Sequence, residues 1–424
     1  MVYLIAAISA LSGLLFGFDE GVIAGILPTL TEYFGLQETS IGFLASALPL
    51  GAMFASIVLG SYIGTKLTTN VGRRTGILIA ALLFTLSAVG AALALNLYTL
   101  IIARLITGIA IGIAGVMTPL YIAEMAPTHL RGRLVSCYQL AITMGIMLGY
   151  LVNYLFIYGI NWRWMFAAGA IPALILLVGM LFLPESHRWL LLTNQSEKAK
   201  HVLKRLNQDA SELENIQHTI HAEGQHTTWR ELFSPTIRPA LVVAMMLFIL
   251  QQVSGINVVI YYAPSIFASV GLGSESTQIL ATVGIGLVNM LTTIVALWLV
   301  EKIGRRKLLY IGFSGAAATL IIISMGAQWQ MIHLGLVTFM AALAYIAFFA
   351  VALGPIPHLM MAEIFPIHVR NTGMGVASMC NWGVNFLVVF SYPLLIKGLG
   401  LGTTFWIYAV ACLFGLVFTR FLYS

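Results

Sequence analysis

Twelve windows of roughly twenty mostly apolar residues follow one another along this chain, at about 3–28, 41–66, 76–96, 99–125, 134–158, 163–183, 239–268, 277–300, 308–327, 332–361, 371–396 and 402–422. Each, coiled as a helix, crosses the roughly 30 Å hydrocarbon core of a bilayer. Hydrocarbon admits only helices and closed barrels, because every backbone group must find its partner inside the protein. The expected fold is therefore an all-α membrane protein with twelve transmembrane helices. Composition agrees: 60% of residues are hydrophobic and 8% charged, whereas a soluble domain is about a quarter charged. The first window lacks a basic start and outruns the apolar core of a signal peptide, so it reads as a retained span. Cys137, Cys380 and Cys412 all fall inside windows, which suggests no disulfide framework.

The net charge of +6 points to topology and not to nucleic acid. With both termini cytoplasmic, the inner loops, span ends and tail hold 18 of the 21 Lys and Arg residues, Arg163 and Lys397 lie outside, and Arg104 is within a span. That asymmetry is what the positive-inside rule requires. The expected location is the cell membrane, multi-pass, and the expected working unit is a monomer.

One long polar segment, 184–237, interrupts the pattern and divides the chain into six-span halves at 1–183 and 238–424. It carries three helix-start signals, Asn194 with Glu197, Ser211 with Glu214, and Thr228 with Glu231, each a side-chain acceptor followed three residues later by Glu. After the first, Ala199, Val202, Leu203 and Leu206 keep amphipathic helical spacing, so a small helical cytoplasmic layer is expected there. The halves echo each other. AEMAPTHLR at 123–131 returns as AEIFPIHVR at 362–370, and GRR at 72–74 returns at 304–306. Parallel six-span repeats are the sequence sign of a transporter whose halves rock about a central site. Glu124, Glu301 and Glu363 could pair with Arg73, Arg74, Arg131, Arg305, Arg306 and Arg370 to latch the inner face; capping and topology alone would explain the charges but not the repeat.

Within the spans, GLLFGFDEGVIAG at 13–25 sets Asp19 and Glu20 in an apolar run. An ionisable side chain in hydrocarbon is costly and marks a functional site by default. At about 1.5 Å per residue, Asp19 lies past the midplane on the outward-running first span, and Arg104 enters the fourth span to the same level. The two are buried more cheaply together than apart. They read either as a static ion pair or as a proton site, in which desolvation raises a carboxyl pKa and a facing cation lowers it. Glu20, turned about 100° away, is expected to have a partial-access or interface role only. Near the same depth the second half offers Gln251, Gln252, Asn257, Asn289 and Asn381, with Trp382 beside the last. Amides donate and accept hydrogen bonds and an indole presents an apolar face, which suits a hydroxylated ring; polar residues in spans also glue helices together. Gly255 and GPIP at 354–357 should break spans seven and ten.

GLLFGFD, the two GRR elements, RLITGIAIGIAGVMTPLYIAEMAPTHLRGRL, PESHRWLL, QQVSGINVVIYYAP, GPIPHLMMAEIFP and NWGVNF together cover nearly the whole chain. In these the sequence resembles the sugar porter family of the major facilitator superfamily, which includes bacterial sugar–proton symporters and the facilitative glucose transporters. The resemblance implies the major facilitator fold and import of a hexose or pentose with a proton, without cofactor or metal. It implies substrate contacts at Gln139, Gln251, Gln252, Asn257, Asn289, Asn381 and Trp382, with Phe16 and Tyr261 lining the pocket and its outer gate. It matches Asp19 and Arg104 to the symporters' coupling pair, where facilitative members are neutral at the Asp19 position. Three departures stand out. Thr69 and Asn70 precede GRR in place of an acidic or amide residue and a basic one; Gly169 replaces a span-six Glu of some symporters; and His358 follows GPIP where Trp is usual, which predicts a shifted specificity. A facilitative sugar or polyol carrier is the alternative. A sugar sensor would need a signalling domain, and no nucleophile–base pair, metal cluster or phosphate loop suggests an enzyme.

Overall fold

The computed structural model describes residues 1–60, 71–156, 161–206, 229–366 and 369–421. These residues are helical nearly throughout and contain no strand. The first six crossings are α1 (Val2–Phe34), α2 (Glu38–Gly60), α3 (Arg73–Ala92), α4 (Leu97–Met125), α5 (Arg131–Phe156), and a sixth in two pieces, α6 (Trp162–Ala168) and α7 (Ala170–Phe182), interrupted at Gly169. Two short helices follow, α8 (His187–Leu192) and α9 (Ser196–Leu206). The later crossings are α10 (Arg238–Val253) continued by α11 (Ile256–Ser269), then α12 (Glu275–Ile303), α13 (Arg305–Gln328), α14 (Leu334–Phe348) continued by α15 (Pro355–Ile364), and α16 (Arg370–Phe421).

Eleven helical stretches among the described residues are long and apolar enough to cross a membrane, and the last of them, Thr372–Phe421, has 50 residues. At about 1.5 Å per residue that last stretch is twice what one crossing needs. Gly400, at φ 77°, turns it back on itself, so it supplies crossings eleven and twelve and the total is the twelve the apolar windows predict. The breaks expected in crossings seven and ten are present. Gly255 sits at φ 88° between α10 and α11, a conformation only glycine adopts cheaply, and a π turn at Phe349–Leu353 precedes Pro355.

Lipid tails are as apolar as Leu, so close backbone contact must replace the hydrophobic effect as the glue between helices. The α1–α5 seam shows how. A Cβ on Gly17 would collide with the Ile142 carbonyl, and one on Gly145 with the Leu14 carbonyl. The two helices therefore touch backbone to backbone.

In the polar segment, α9 begins at Ser196 and buries Ala199, Val202, Leu203 and Leu206, as the spacing predicts. The start differs from expectation: Asn194 takes a left-handed conformation at φ 57° and does not cap the helix. Glu231 lies in a single 3-10 turn, Trp229–Phe233. Lys66, Thr69, Asn70, Ser211, Glu214 and Thr228 lie outside the described residues.

Candidate functional site

The rigid α1–α5 seam fixes the azimuth of α1 and turns Asp19 toward α4. That helix is anchored by a capping box in which Asn96 accepts the Thr99 N–H at 2.9 Å, and Arg104 falls two turns further in. Arg104 is wholly buried and donates from Nη1 to Asp19 Oδ2 at 2.9 Å, and from Nε to the Leu44 carbonyl on α2 at 3.0 Å. Its Nη2 is buried with no hydrogen-bond partner among the described residues. Asp19 keeps 14% side-chain exposure and borders, with Gly169, Ser87 and Thr107, a cavity of about 30 Å³, enough room for a water. The two ionisable groups that depth alone placed at one level are thus an ion pair. Gly169 lines that same cavity, and a Cβ there would press on the Phe18 ring and the Phe166 carbonyl.

The amides assemble around the two helix breaks. Unwinding at Ser254–Gly255 brings the end of α10 and the start of α11 together, and Asn257 Nδ2 donates to Gln252 Oε1 at 2.6 Å. Gln252 Nε2 in turn donates to Asn381 Oδ1 on α16 at 2.7 Å. Gln251 Nε2 reaches the Leu353 and Gly354 carbonyls at 2.6 and 3.1 Å, next to the π turn, while its Oε1 is buried without a partner among the described residues. Asn289 is buried yet makes no side-chain hydrogen bond among the described residues. Gln139 is half-buried on α5. Phe16 and Trp382 meet across the bundle with ring centres 5.6 Å apart. His358 is exposed; its Nδ1 lies 3.2 Å from the Gly354 carbonyl and its ring stands edge-on to Phe248 at 4.9 Å.

Three placements were not foreseen. Asn385, one turn beyond Asn381, is buried with Oδ1 unpartnered among the described residues; the i, i+4 spacing within NWGVNF is the signal that could have found it. Tyr261 is wholly buried and donates its hydroxyl to Glu20 Oε1 at 3.2 Å. Glu20 itself is only 3% exposed.

At the face where α1 begins, Arg73 Nε pairs with Glu124 at 3.1 Å and Arg305 pairs with Glu363. The two pairs occupy corresponding positions of the repeat, and each joins helices within the same six crossings. Glu124 also accepts the Ser186 hydroxyl. Arg74 donates to the Met180 and Leu181 carbonyls at 2.9 and 2.7 Å, at the end of α7, and Glu185 accepts the Arg73 and Arg74 backbone N–H groups at 3.0 and 2.9 Å. Arg306 donates to the Arg420 carbonyl at 3.3 Å. Arg131 is exposed at the start of α5. Nearby, burial pushes the His187 imidazole down to about 4, with Arg131 and Arg188 acting in the same direction. The side chains of Glu301 and Arg370 lie outside the described part of the structure.

Twelve crossings around a buried ion pair and a cluster of amides at broken helices define a multi-pass membrane transporter of the secondary kind. More particularly, the chain belongs to the sugar (and other) transporter family, whose model matches residues 5–424, within the major facilitator fold. It is 37% identical to a D-xylose transporter of Levilactobacillus brevis, over 97% of this chain and 90% of that protein. It is 36% identical to an arabinose-proton symporter of Bacillus subtilis, over 96% and 89%. A partially occluded, inward-open structure of the xylose transporter XylE from E. coli superposes with a TM-score of 0.87 at 30% identity, covering all of this chain and 98% of that one.

Proposed function

We propose that this protein imports a monosaccharide together with a proton by alternating access, as a monomer in the cell membrane with both termini cytoplasmic. The observation that carries the reading is the Asp19–Arg104 ion pair at 2.9 Å, with the arginine removed from solvent. A carboxylate held by one cation exchanges its proton when a conformational change loosens that contact, and the 14% exposure of Asp19 leaves it an outlet. Residues 1–183 and 238–424 form the two rocking halves, and 184–237 links them. Gln139, Gln251, Gln252, Asn257, Asn289 and Asn381 supply donors and acceptors for sugar hydroxyls, and Phe16 and Trp382 supply the apolar ring face. His358 puts a ring nitrogen where relatives of this kind place an indole, which favours a substrate other than glucose; the named relatives that act on pentoses point the same way.

The energetics suffice. One proton falling through about 100 mV supplies roughly 2.3 kcal/mol, which sustains roughly fifty-fold accumulation.

The test is uptake of a panel of labelled hexoses, pentoses and polyols into vesicles, with and without an imposed pH gradient, for the natural chain and Asp19→Asn. The natural chain should accumulate one sugar only with the gradient. The variant should lose uphill uptake and keep exchange. Continued accumulation by Asp19→Asn refutes the assignment, and gradient-independent equilibration by the natural chain makes the protein a passive carrier.

A further inference from the structure

Glu20 is a buried ionisable residue that the Asp19–Arg104 pair does not use. It is the next residue along α1, so one turn of that helix presents one carboxyl to α4 and the other to α11. Its Oε1 accepts the hydroxyl of Tyr261 at 3.2 Å, with Glu20 3% exposed and Tyr261 wholly buried. The residue before Tyr261 is held as well, because Tyr150 on α5 donates its hydroxyl to the Ile260 carbonyl at 2.8 Å. Two consecutive residues of α11 are thus tied to α1 and α5, which the glycine seam makes a single rigid unit. Tyr261 lies only six residues beyond Gly255, whose left-handed backbone separates α11 from α10. Counted at about 1.5 Å per residue, Glu20 is about 27 Å along α1 and Tyr261 about 34 Å along crossing seven. Both therefore lie in the part of the bundle remote from the face where α1 begins. A carboxyl is an expensive way to glue two helices in lipid, and a hydroxyl or amide would serve as well.

We infer that Glu20 is a gating residue: its carboxyl latches the Tyr261 hydroxyl and so holds the half-helix α11 shut against α1, and release of that bond is a step in opening the remote end. The inference rests on the alternating-access reading, and it adds a positioning role for a residue that touches neither Arg104 nor the amide cluster.

Hydrogen–deuterium exchange on the purified full chain in detergent, without sugar or gradient, reads the latch directly from the amides of residues 256–269. Net hydrogen bonds of this kind contribute about 0.5–1.5 kcal/mol, so Tyr261→Phe and Glu20→Leu should each speed exchange there by roughly two- to twelve-fold. Glu20→Gln, which keeps an acceptor oxygen for the phenol, should stay within about twofold of the natural chain. The double variant Glu20→Leu/Tyr261→Phe should be no faster than either single one. Additive effects, an unchanged Tyr261→Phe, or a Glu20→Gln as fast as Glu20→Leu would each overturn the latch. Because the readout needs no transport, a chain that moves no sugar leaves the latch standing, and a missing latch leaves Asp19 untouched.

Discussion

Arg104 divides its donors unevenly. One goes to the Asp19 carboxylate, one to the Leu44 carbonyl, and the third nitrogen is buried without a partner among the described residues. A guanidinium that gave both terminal nitrogens to the carboxylate would make the stronger, fork-to-fork contact. The single-bond geometry here holds the pair more loosely, which suits a contact that has to break in every cycle. Its worth can be measured as a cycle. Removing one partner of a buried pair costs about 3–5 kcal/mol because it strands the other charge, whereas removing both is often nearly neutral. Arg104→Leu should therefore lower the thermal midpoint of the detergent-solubilised protein sharply, and adding Asp19→Asn should restore most of that loss. Equal midpoints for the single and double variants would mean that the two side chains do not share a buried charge. Depth along a helix was readable without a structure, which is why Asp19 and Arg104 could be matched. Azimuth was not. Which neighbour Glu20 meets depends on how α11 leaves the break at Gly255, and no local pattern encodes that.

Elements with a long apolar period were the most legible, since span length is set by the bilayer and not by neighbours. The exceptions have local causes. Crossings eleven and twelve run together because the turn at Gly400 needs only one residue off the helical path. Helix α9 starts later than its apparent cap because Asn194 is spent on a left-handed turn. What apolar length cannot show is how closely two spans approach, and here glycine decides. At Gly17 a methyl group would meet the Ile142 carbonyl of α5, with both backbones already in contact. Overpacking of this kind costs about 1–3 kcal/mol, more than the up to about 1 kcal/mol that Ala gains over Gly in a helix. Gly17→Ala should thus lower the thermal midpoint. Gly132→Ala, with open space around its Cβ direction, should leave it unchanged or raise it slightly. Matching midpoints for the two variants would show that α1 and α5 are not locked at this seam.

At the scale of the whole molecule, two side-chain ion pairs described at the face where α1 begins, Arg73–Glu124 and Arg305–Glu363, each stay within one set of six crossings, while at the remote face Glu38 on α2 meets Lys397 on α16 at 2.6 Å. That contact is partly solvated, with 34% and 66% side-chain exposure, and exposed pairs contribute little. Neutralising it with Glu38→Gln and Lys397→Gln should change sugar uptake by less than about twofold. A covalent tie at the same place has a different consequence. If the two blocks rock about a central site, their remote ends must part once per cycle, and no side-chain flexibility substitutes for that separation. In a background where Cys137, Cys380 and Cys412 are serine, Glu38→Cys with Lys397→Cys joined by a short reducible thiol cross-linker should abolish uptake, and reductant should restore it. Each single cysteine treated the same way should transport normally. Undiminished uptake by the fully cross-linked protein would mean that α2 and α16 stay together throughout the cycle, and the solute would then need a path that does not require the remote face to open between them.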